Sequence, residues 1–256
     1  MIHETAIISP KAKLGKNLTI GAYTLVGDHV EIGDDTHIGP HVVLKGHTKI
    51  GKKNKILQFA SIGEDPQDLK YHGEDTYLEI GDNNLIREFC TFNRGTVTGG
   101  GITKIGNNNL FMAYVHIAHD CIIGNGVIFA NNATLSGHVI VEDFVSLGGF
   151  VGVHQFCIIG AYSFAGGGAM IDKSVLPFVR SSGYYAKPFG LNTVGLRRRG
   201  FSSERIAEIK AMYRIIYRKN FTLKEAIEVL KTDCSEYEDA ASFLHILETT
   251  ERGIIR

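Results

Sequence analysis

The sequence contains no tryptophan and only 5 prolines among its 256 residues. Its 4 cysteines form no Cys-x-x-Cys pair, so we expect reduced and mostly buried thiols, as in a protein of a reducing compartment. No apolar run approaches the roughly 20 residues that a membrane span requires, so we expect no stable membrane insertion. The N-terminal residues lack the basic-then-apolar pattern of a signal peptide. These absences together predict a cytoplasmic protein.

An excess of charge of either sign is also lacking. The 27 Lys and Arg residues balance the 27 Asp and Glu residues, which argues against general nucleic-acid binding. Basic residues are nevertheless concentrated in one segment, because residues 180–231 contain twelve Lys or Arg and four Glu. A segment of this kind suits an acidic partner or a pyrophosphate, although solvated helix faces would give the same composition.

Glycine is abundant, with 30 residues, and apolar residues recur with a period of six. The first series begins at Ile2, and later series resume after two interruptions. The apolar positions are Ile2, Ile8, Leu14, Ile20, Val26, Ile32, Ile38, Leu44, Ile50, Ile56, Ile62, Ile80, Ile86, Ile105, Phe111, Ile117, Ile123, Phe129, Leu135, Val141, Leu147, Val153, Ile159, Ala165 and Ile171. A glycine often follows, which suggests a turn residue that is free to adopt unusual backbone angles.

A period of six is a multiple of the strand period and not a helical one, so it predicts short strands joined by tight turns. Three such strands close a triangular coil of 18 residues with the apolar residues inside. We therefore predict a mainly β fold, a parallel β-helix over residues 1–176. The period leaves the hand of the coil open, and the general crossover rule favours a right-handed one.

Two segments interrupt the hexads, and another pattern follows them. Residues 68–79 and 92–104 are insertions, and insertions excluded from a packed repeat commonly carry function. Residues 177–202 contain scattered glycine and proline and are predicted to be connecting loops. Residues 203–256 show helical periodicity and form a predicted C-terminal α-helical domain.

Three helices are expected over about 203–251. Ser202 is a candidate N-cap for the first helix. Thr222 with Glu225, and Ser235 with Glu238, match the capping box and predict the starts of the second and third helices.

Histidines are the most suggestive chemical groups. With 18 residues per coil and about 4.8 Å between coils, several of them fall on one edge of the solenoid. The predicted polar column contains His116, His119, His138, His154 and Gln155, with Asp120 and Gly137 beside them. Three interpretations remain open at this stage: acid–base catalysis by an imidazole next to Asp120, a metal site of three histidines, and a scaffold without chemistry.

Particular stretches of the chain resemble a known family. They are Lys45–Gly51, Gln58–Glu64, Gln67–Tyr71, Arg94–Thr96, His116–Asp120, Ala130–His138, Val153–Gly160 and Leu196–Phe201. With the hexads and the helical C-terminus, they resemble the bacterial hexapeptide acyltransferases, and among these the UDP-N-acetylglucosamine acyltransferases that begin lipid A synthesis. The resemblance covers essentially the whole chain, insertions included. It implies a left-handed β-helix and a homotrimer with active sites in the clefts between chains.

The resemblance also implies roles for single residues. His119 would be the general base that deprotonates the glucosamine 3-hydroxyl, Asp120 would support it, and the N–H of Gly137 would face the oxyanion. The donor would be a 3-hydroxyacyl chain on acyl carrier protein, received by the basic helices, and no cofactor or metal is expected. Residues implied in binding the sugar nucleotide or the acyl chain are Asp68, Lys70, His116, His138, His154, Gln155, Asn192, Arg198 and Arg199.

Two positions depart from the family pattern. Asn93 stands where a histidine is usual, and Val194 stands where a glutamate is usual. Both belong to the acceptor side, so the sequence leaves open whether the acceptor carries a 3-hydroxyl or a 3-amino group. The alternatives to the main hypothesis are the sister N-acyltransferase of the same pathway and a trimeric, histidine-liganded metal hydratase on the same fold.

The resemblance places Gly167 at the position that ends the acyl groove. Gly167 follows His119 by 48 residues, or about 2.7 coils of 18, which is roughly 13 Å along the axis. At about 1.3 Å per carbon, a stop there would act near ten carbons. Because glycine forms no stop, we expect donors longer than about ten carbons, of twelve to fourteen, and shorter donors for Gly167→Met.

Overall fold

The computed structural model describes residues 1–256 as a triangular coil of short strands followed by four helices. The first face consists of Ile7–Ile8, Leu25–Val26, Val43–Leu44, Ser61–Glu64, Thr91–Asn93, His116–Ile117, Thr134–Leu135, Gly152–Val153 and Met170–Ile171. The second consists of Lys13–Leu14, Val30–Ile32, His47–Ile50, Tyr77–Ile80, Ile102–Ile105, Ile122–Ile123, Ile140–Val141 and Ile158–Ile159. The third consists of Thr19–Ile20, His37–Ile38, Lys55–Ile56, Leu85–Ile86, Leu110–Phe111, Ile128–Phe129, Ser146–Leu147, Phe164–Ala165, Val179–Ser182 and Lys187–Leu191.

The register confirms the predicted coil. His116 pairs in parallel with Thr134, and Thr134 pairs with Gly152, each step advancing by 18 residues. The inward residues of these strands are buried and form one continuous core. The architecture is a left-handed parallel β-helix, so the general crossover rule does not hold for this coil.

The corners between the faces place the remaining residues. The chain passes from the first face through a first corner to the second face, then through a second corner to the third face, and returns through a third corner. The first corner carries Asp120, His138 and Phe156, the second carries Gly126, Phe144 and Tyr162, and the third carries Asn132, Phe150 and Gly168. In a triangular cross-section the third face therefore lies opposite the first corner.

The glycines of the hexads have a different role from the predicted one. Positive φ angles fall mostly on aspartate, asparagine, histidine and aromatic residues at the corners, and Gly21 and Gly33 are not among the positive-φ residues. A Cβ atom on Gly21 would come within 2.5 Å of the backbone nitrogen of Pro40, and one on Gly33 within 2.6 Å of Gly51. Glycine is therefore required by close approach of the next coil, and the prediction of unusual backbone angles was wrong for these positions.

Both insertions leave the coil at the first corner, where each connects the first face to the second. The loops occupy residues 65–76 and 94–101, and the second contains a 3-10 helix at Val97–Gly99. The first loop has the predicted length but lies three residues earlier, because Tyr77–Ile80 belongs to the second face and pairs in full with both His47–Ile50 and Ile102–Ile105. The second loop is shorter than predicted, because the strands Thr91–Asn93 and Ile102–Ile105 extend into it. Two loops are thus brought together over the predicted histidine column.

Residues 177–202 are more ordered than the predicted connecting loops. Val179–Ser182 adds to the third face, and Lys187–Leu191 pairs with it antiparallel at the sheet edge. Pro188 is tolerated because an edge strand has no neighbour on one side. Helix α1 (Thr193–Arg198) follows, and the Asn192 side chain accepts a hydrogen bond from the N–H of Gly195 at its start.

Three longer helices complete the chain, α2 (Ser203–Tyr217), α3 (Leu223–Asp233) and α4 (Ala240–Thr249). The Ser202 hydroxyl accepts from the N–H at the start of α2, and Thr222 and Glu225 form the predicted capping box of α3. None of the helices combines the length and the apolar character needed to cross a bilayer.

The predicted capping box of Ser235 and Glu238 was wrong. Helix α4 begins only after Asp239, and the side chain of Asp239 does not cap it. The Asp239 carboxylate instead accepts two hydrogen bonds of 2.8 Å from the Arg205 guanidinium of α2. A tertiary ion pair between two helices has replaced the local cap.

Candidate active site at the first corner

The first corner brings His119, Asp120 and Gly137 together. Asp120 adopts a left-handed backbone conformation with a φ of 60°, which turns the chain between the two faces. Its N–H donates a 2.8 Å hydrogen bond to the Thr103 hydroxyl, and its side chain is buried. His119, one residue earlier, is half-buried, so its imidazole remains accessible at the corner.

The Asp120 carboxylate orients His119. Nδ1 of His119 lies 2.8 Å from Oδ2 of Asp120. The same carboxylate accepts a 2.8 Å bond from the backbone N–H of Thr96 and a 2.6 Å bond from its hydroxyl. An ionised carboxylate only accepts hydrogen bonds, so Nδ1 carries the proton and Nε2 is left as the basic nitrogen.

The ionisation of Asp120 follows from a balance of opposing effects. Burial of the carboxyl raises its pKa, but the hydrogen bonds from His119 and Thr96 outweigh burial and lower the pKa below the ordinary value. Asp120 is therefore an anion at neutral pH.

Gly137 lies directly against the His119 ring in the next coil. A Cβ atom at this position would stand 2.7 Å from Nε2 of His119, so no other residue fits without moving the imidazole. The N–H of Gly137 donates to no backbone carbonyl. An unbonded N–H beside the basic nitrogen of an imidazole is a suitable donor for a developing negative charge.

Two further predicted histidines line the site as neutral groups. Nδ1 of His116 lies 2.7 Å from the Thr91 hydroxyl, and burial lowers the pKa of His116. His138 stacks on Phe156 with 4.5 Å between ring centroids, and burial lowers its pKa as well. Neutral imidazoles can donate and accept hydrogen bonds to a polar ligand without adding charge.

Loop 65–76, which carries Asp68 and Lys70, is held over the corner by a residue without a predicted role. Arg94 is buried, and its guanidinium donates to the carbonyl of Gly63 at 2.6 Å, to Oδ1 of Asp65 at 2.5 Å and to the Tyr71 hydroxyl at 2.8 Å. Asp68 lies near enough to His138 for its charge to act on that imidazole. Lys70 is exposed on the same loop.

Asn93, one of the two departures from the family pattern, is buried beside this loop. Its side-chain amide donates a 2.8 Å hydrogen bond to the backbone carbonyl of Asp65, while its Oδ1 has no partner. The residue therefore helps to hold the start of the loop and keeps one acceptor oxygen unused.

A groove crosses the first face from this corner to the third corner, where Asn132 and Phe150 line it. The cavity has a volume of about 350 Å³ and is lined by Thr134, Ser136, Gly152, His154 and Met170, with Tyr185 beside them. His154 and Gln155 are both exposed at its catalytic end. Gly167 lies at the third corner and does not line this groove.

The residues implied in nucleotide binding lie elsewhere on the chain. Asn192, Val194 and Arg198 line a cavity of about 380 Å³ on the third face, together with Arg180, which sequence reasoning did not single out. This face is opposite the corner that carries His119. Arg199 is not in the cavity; its guanidinium lies 4.2 Å above the Phe144 ring.

The imidazoles and carboxylates also form a candidate metal cluster. The ligand atoms of His119, Asp120 and His138 lie within 4.8 Å of one another. Both oxygens of Asp120 already accept hydrogen bonds from the protein, and His116 is bonded to Thr91 instead of joining the cluster. The donor set therefore fits a hydrogen-bonded acid–base pair better than a set of three histidine ligands.

Comparisons with known proteins agree with the fold. Residues 175–255 match the family model described as UDP-N-acetylglucosamine O-acyltransferase, domain 2, and residues 11–46 and 102–137 match the bacterial transferase hexapeptide model. An acyl-[acyl-carrier-protein]–UDP-N-acetylglucosamine O-acyltransferase of Herminiimonas arsenicoxydans is 56% identical and covers 100% of this chain and 99% of its own. The chain belongs to this O-acyltransferase family.

Further relatives of the same name and solved structures are consistent with this assignment. The enzyme of Thiobacillus denitrificans is 55% identical over 100% of this chain and 99% of its own. The structure of LpxA from Acinetobacter baumannii superposes with a TM-score of 0.98 at 47% identity, covering 100% of this chain and 99% of that one. The structure of the Francisella novicida acyltransferase gives 0.98 at 41% identity, with coverages of 100% and 94%. The comparisons support neither the sister N-acyltransferase nor the metal hydratase.

Proposed function

We propose that this protein transfers an (R)-3-hydroxyacyl chain from acyl carrier protein to the glucosamine 3-hydroxyl of UDP-N-acetylglucosamine, the first step of lipid A biosynthesis. The observation that carries the proposal is the pair His119–Asp120 facing the unbonded N–H of Gly137. This arrangement supplies a base and an oxyanion donor at one point. The relatives described above bear the name of the same reaction.

The chemical step needs only these groups. Nε2 of His119 removes the proton of the 3-hydroxyl as its oxygen attacks the thioester carbonyl, and Asp120 stabilises the imidazolium that forms. The N–H of Gly137 donates to the carbonyl oxygen as it becomes negative. When the tetrahedral intermediate collapses, the C–S bond breaks and the imidazolium returns its proton to the departing thiolate. No cofactor is required, because the thioester already supplies an activated acyl group.

The neighbouring polar residues fit the roles of substrate ligands. Asp68 and Lys70 lie on the loop above the corner, and His116 and His138 are neutral imidazoles beside the base. His154 lines the groove on the first face, and Gln155 is exposed next to it in sequence; the groove suits an acyl chain. These assignments agree with the family resemblance.

The separation of the two predicted sites supports a homotrimer. Asn192 and Arg198 lie on the face opposite His119 and cannot reach the same sugar nucleotide in one chain. A cyclic assembly would place the third face of one chain against the first corner of the next. We assign Asn192, Arg198 and Arg199 to the nucleotide on that basis; of these arginines, Arg198 lines the cavity.

The donor would approach the basic surface of α2. Lys210, Arg214 and Arg218 are exposed and spaced by four residues, so they follow one face of this helix. A row of cations suits an acidic carrier protein, and association by charge is faster at low salt. A cytoplasmic location is consistent with this partner.

A competition assay tests the proposed reaction. The purified protein is incubated with the 3-hydroxyacyl thioester of acyl carrier protein and with equal amounts of UDP-N-acetylglucosamine and its 3-amino analogue. The products are identified and quantified by mass spectrometry. We expect the O-acyl ester as the main product and its loss in His119→Ala. A predominant amide would reassign the acceptor to the 3-amino sugar, and no product from either acceptor would contradict the proposal.

A further inference from the structure

The cavity of about 380 Å³ on the third face carries positive charge that the chain does not neutralise. Arg180 and Arg198 both line it, and no carboxylate does. Neither of these arginines forms an ion pair, whereas Arg87, Arg94 and Arg205 each do. A cleft lined by charges of one sign concentrates ligands of the opposite sign.

Arg180 lies on the floor of this cavity, at the end of a ladder of outward side chains. Ser146 pairs in register with Phe164, and Phe164 pairs with Arg180, so the three residues are stacked along the third face. Within Val179–Ser182 the neighbours on either side of Arg180 are buried and Arg180 is exposed, so its side chain points out of the sheet. This strand has a hydrogen-bonded neighbour on each side, which fixes the backbone of Arg180.

Helix α1 forms the wall of the cavity and carries Arg198 at its end. The start of this helix is anchored to the solenoid. The backbone N–H of Asn192 donates a 2.8 Å hydrogen bond to the carbonyl of Phe178, and its side-chain amide donates a 3.0 Å bond to the carbonyl of Tyr162. Arg180 and Arg198 thus line one cavity from two elements that are fixed separately. Two guanidinium groups placed in this way repel each other, and an anion bound between them attracts both.

The chemistry of the cavity suits a nucleotide with two phosphates. A guanidinium group presents N–H donors that bind two phosphate oxygens at once, so two arginines match two linked phosphates. Phe164 is half-buried and Val194 is exposed, and both line the cavity beside the arginines. Their apolar surface suits the nucleoside. Because Val194 stands where a glutamate is usual in the family, no anionic side chain offsets the two cations.

We propose that Arg180 is a second phosphate ligand in this cavity, and that Arg180 and Arg198 each bind one phosphate of a nucleoside diphosphate. The inference rests on the proposed function, which assigns the cavity to the sugar nucleotide, and it adds a specificity-determining residue. The family resemblance implies no role for Arg180. Each phosphate then contributes separately to the affinity, through one arginine.

Titration of the purified protein with uridine, UMP and UDP, followed by ligand-observed NMR, tests the inference. In wild type we expect the Kd to fall about tenfold with each added phosphate, because each phosphate adds one charge-assisted pair. Arg180→Met should abolish one of these two steps and Arg198→Met the other, and the double variant should bind the three ligands about equally. Arg180→Lys should keep part of its step, because it keeps the charge without the planar fork.

Arg197→Met is the matched control, because Arg197 is an exposed arginine of α1 that does not line the cavity. It should leave both steps unchanged. Circular dichroism establishes that each variant is folded. Two intact steps in Arg180→Met, weaker binding of uridine itself in that variant, or an equal loss in Arg197→Met would each overturn the role of Arg180. Failure of the wild-type protein to bind either UDP or UDP-N-acetylglucosamine would instead contradict the proposed function.

Discussion

The Thr96 hydroxyl and the Asp120 carboxylate are joined by a 2.6 Å hydrogen bond, and the oxygen that accepts it, Oδ2, also lies 2.8 Å from Nδ1 of His119. Thr96 is buried in loop 94–101. Loop 94–101 therefore positions the Asp120 carboxylate, which in turn orients His119, the proposed base. In this position Thr96 acts as a positioning residue.

Removing the Thr96 hydroxyl should lower turnover without weakening binding of the sugar nucleotide. In Thr96→Val one charge-assisted hydrogen bond to Asp120 is lost, and a bond of this kind contributes about 1.5 kcal/mol or more, so we expect kcat to fall about tenfold. Steady-state kinetics measure this change, with KM for UDP-N-acetylglucosamine nearly constant. Thr96→Ser should restore most of the rate, and a Ser variant as slow as the Val variant would show that the hydroxyl is not responsible.

Substitutions of two other residues should affect catalysis and substrate binding separately. His119→Ala removes the proposed base, and we expect kcat to fall by about 10²- to 10⁴-fold while the Kd for UDP-N-acetylglucosamine changes little. Arg198→Ala removes a cation from the cavity on the third face and should mainly raise that Kd. Calorimetric titration and turnover assays on both variants measure the split. Near-normal turnover in His119→Ala would show that another group acts as the base.

The lowered pKa of Asp120 predicts a pH-dependent contribution to stability. A carboxyl whose pKa is lower in the folded state than the ordinary 3.8 stabilises the fold above that value, and this contribution is lost as the pH falls through the folded-state pKa. Asp120→Asn should therefore be less stable than wild type near pH 7. The difference should narrow below about pH 4, where the wild-type carboxyl becomes protonated.

Urea unfolding between pH 7 and pH 3, at fixed protein concentration and ionic strength, measures this dependence. A constant difference in the free energy of unfolding across that range would mean that Asp120 contributes through packing and not through its charge.

The buried Arg94 should control the order of loop 65–76. Its guanidinium is the common partner of Gly63, Asp65 and Tyr71, so Arg94→Ala leaves three acceptors in this region without their donor. We expect faster hydrogen exchange in the loop and a KM for UDP-N-acetylglucosamine raised several-fold, since Asp68 and Lys70 lie on it. Lys11→Ala, which removes an exposed ion pair of the first coil, is the matched control. Equal exchange in both variants would contradict the role of Arg94.

The coil and its histidine column could be predicted from the sequence because the six-residue period determines which residues point into the core. The 18-residue coil then determines which residues are stacked on one another. His119, Gly137 and His138 fall together for that reason. The contact between Thr96 and Asp120 could not be predicted in this way, because Thr96 lies in an insertion to which the 18-residue spacing does not apply. Arg94 and Thr96 belong to a stretch that resembles the family, but nothing in their spacing indicates which groups they bind.

Two predictions were wrong for the same physical reason. In both places, contacts with residues distant in the sequence override the local sequence pattern. Gly21 and Gly33 are required by the backbone of the next coil and not by their own φ angles. The α4 cap predicted at Ser235 is absent because Asp239 pairs with Arg205, 34 residues away. Local sequence patterns predicted where the chain turns. Tertiary contacts determine the conformation that the chain adopts there.

We propose that each site forms between two chains, with His119 from one and Arg198 from its neighbour. Co-expression of His119→Ala and Arg198→Ala chains with different affinity tags, followed by purification of mixed trimers, tests it by acyl transfer. Sites that combine the intact His119 of one chain with the intact Arg198 of the next should restore about a third of wild-type activity, because a cyclic trimer that contains both chain types has one such junction among its three. Mixed trimers no more active than either parent variant would contradict a shared site and place both residues on one chain's substrate.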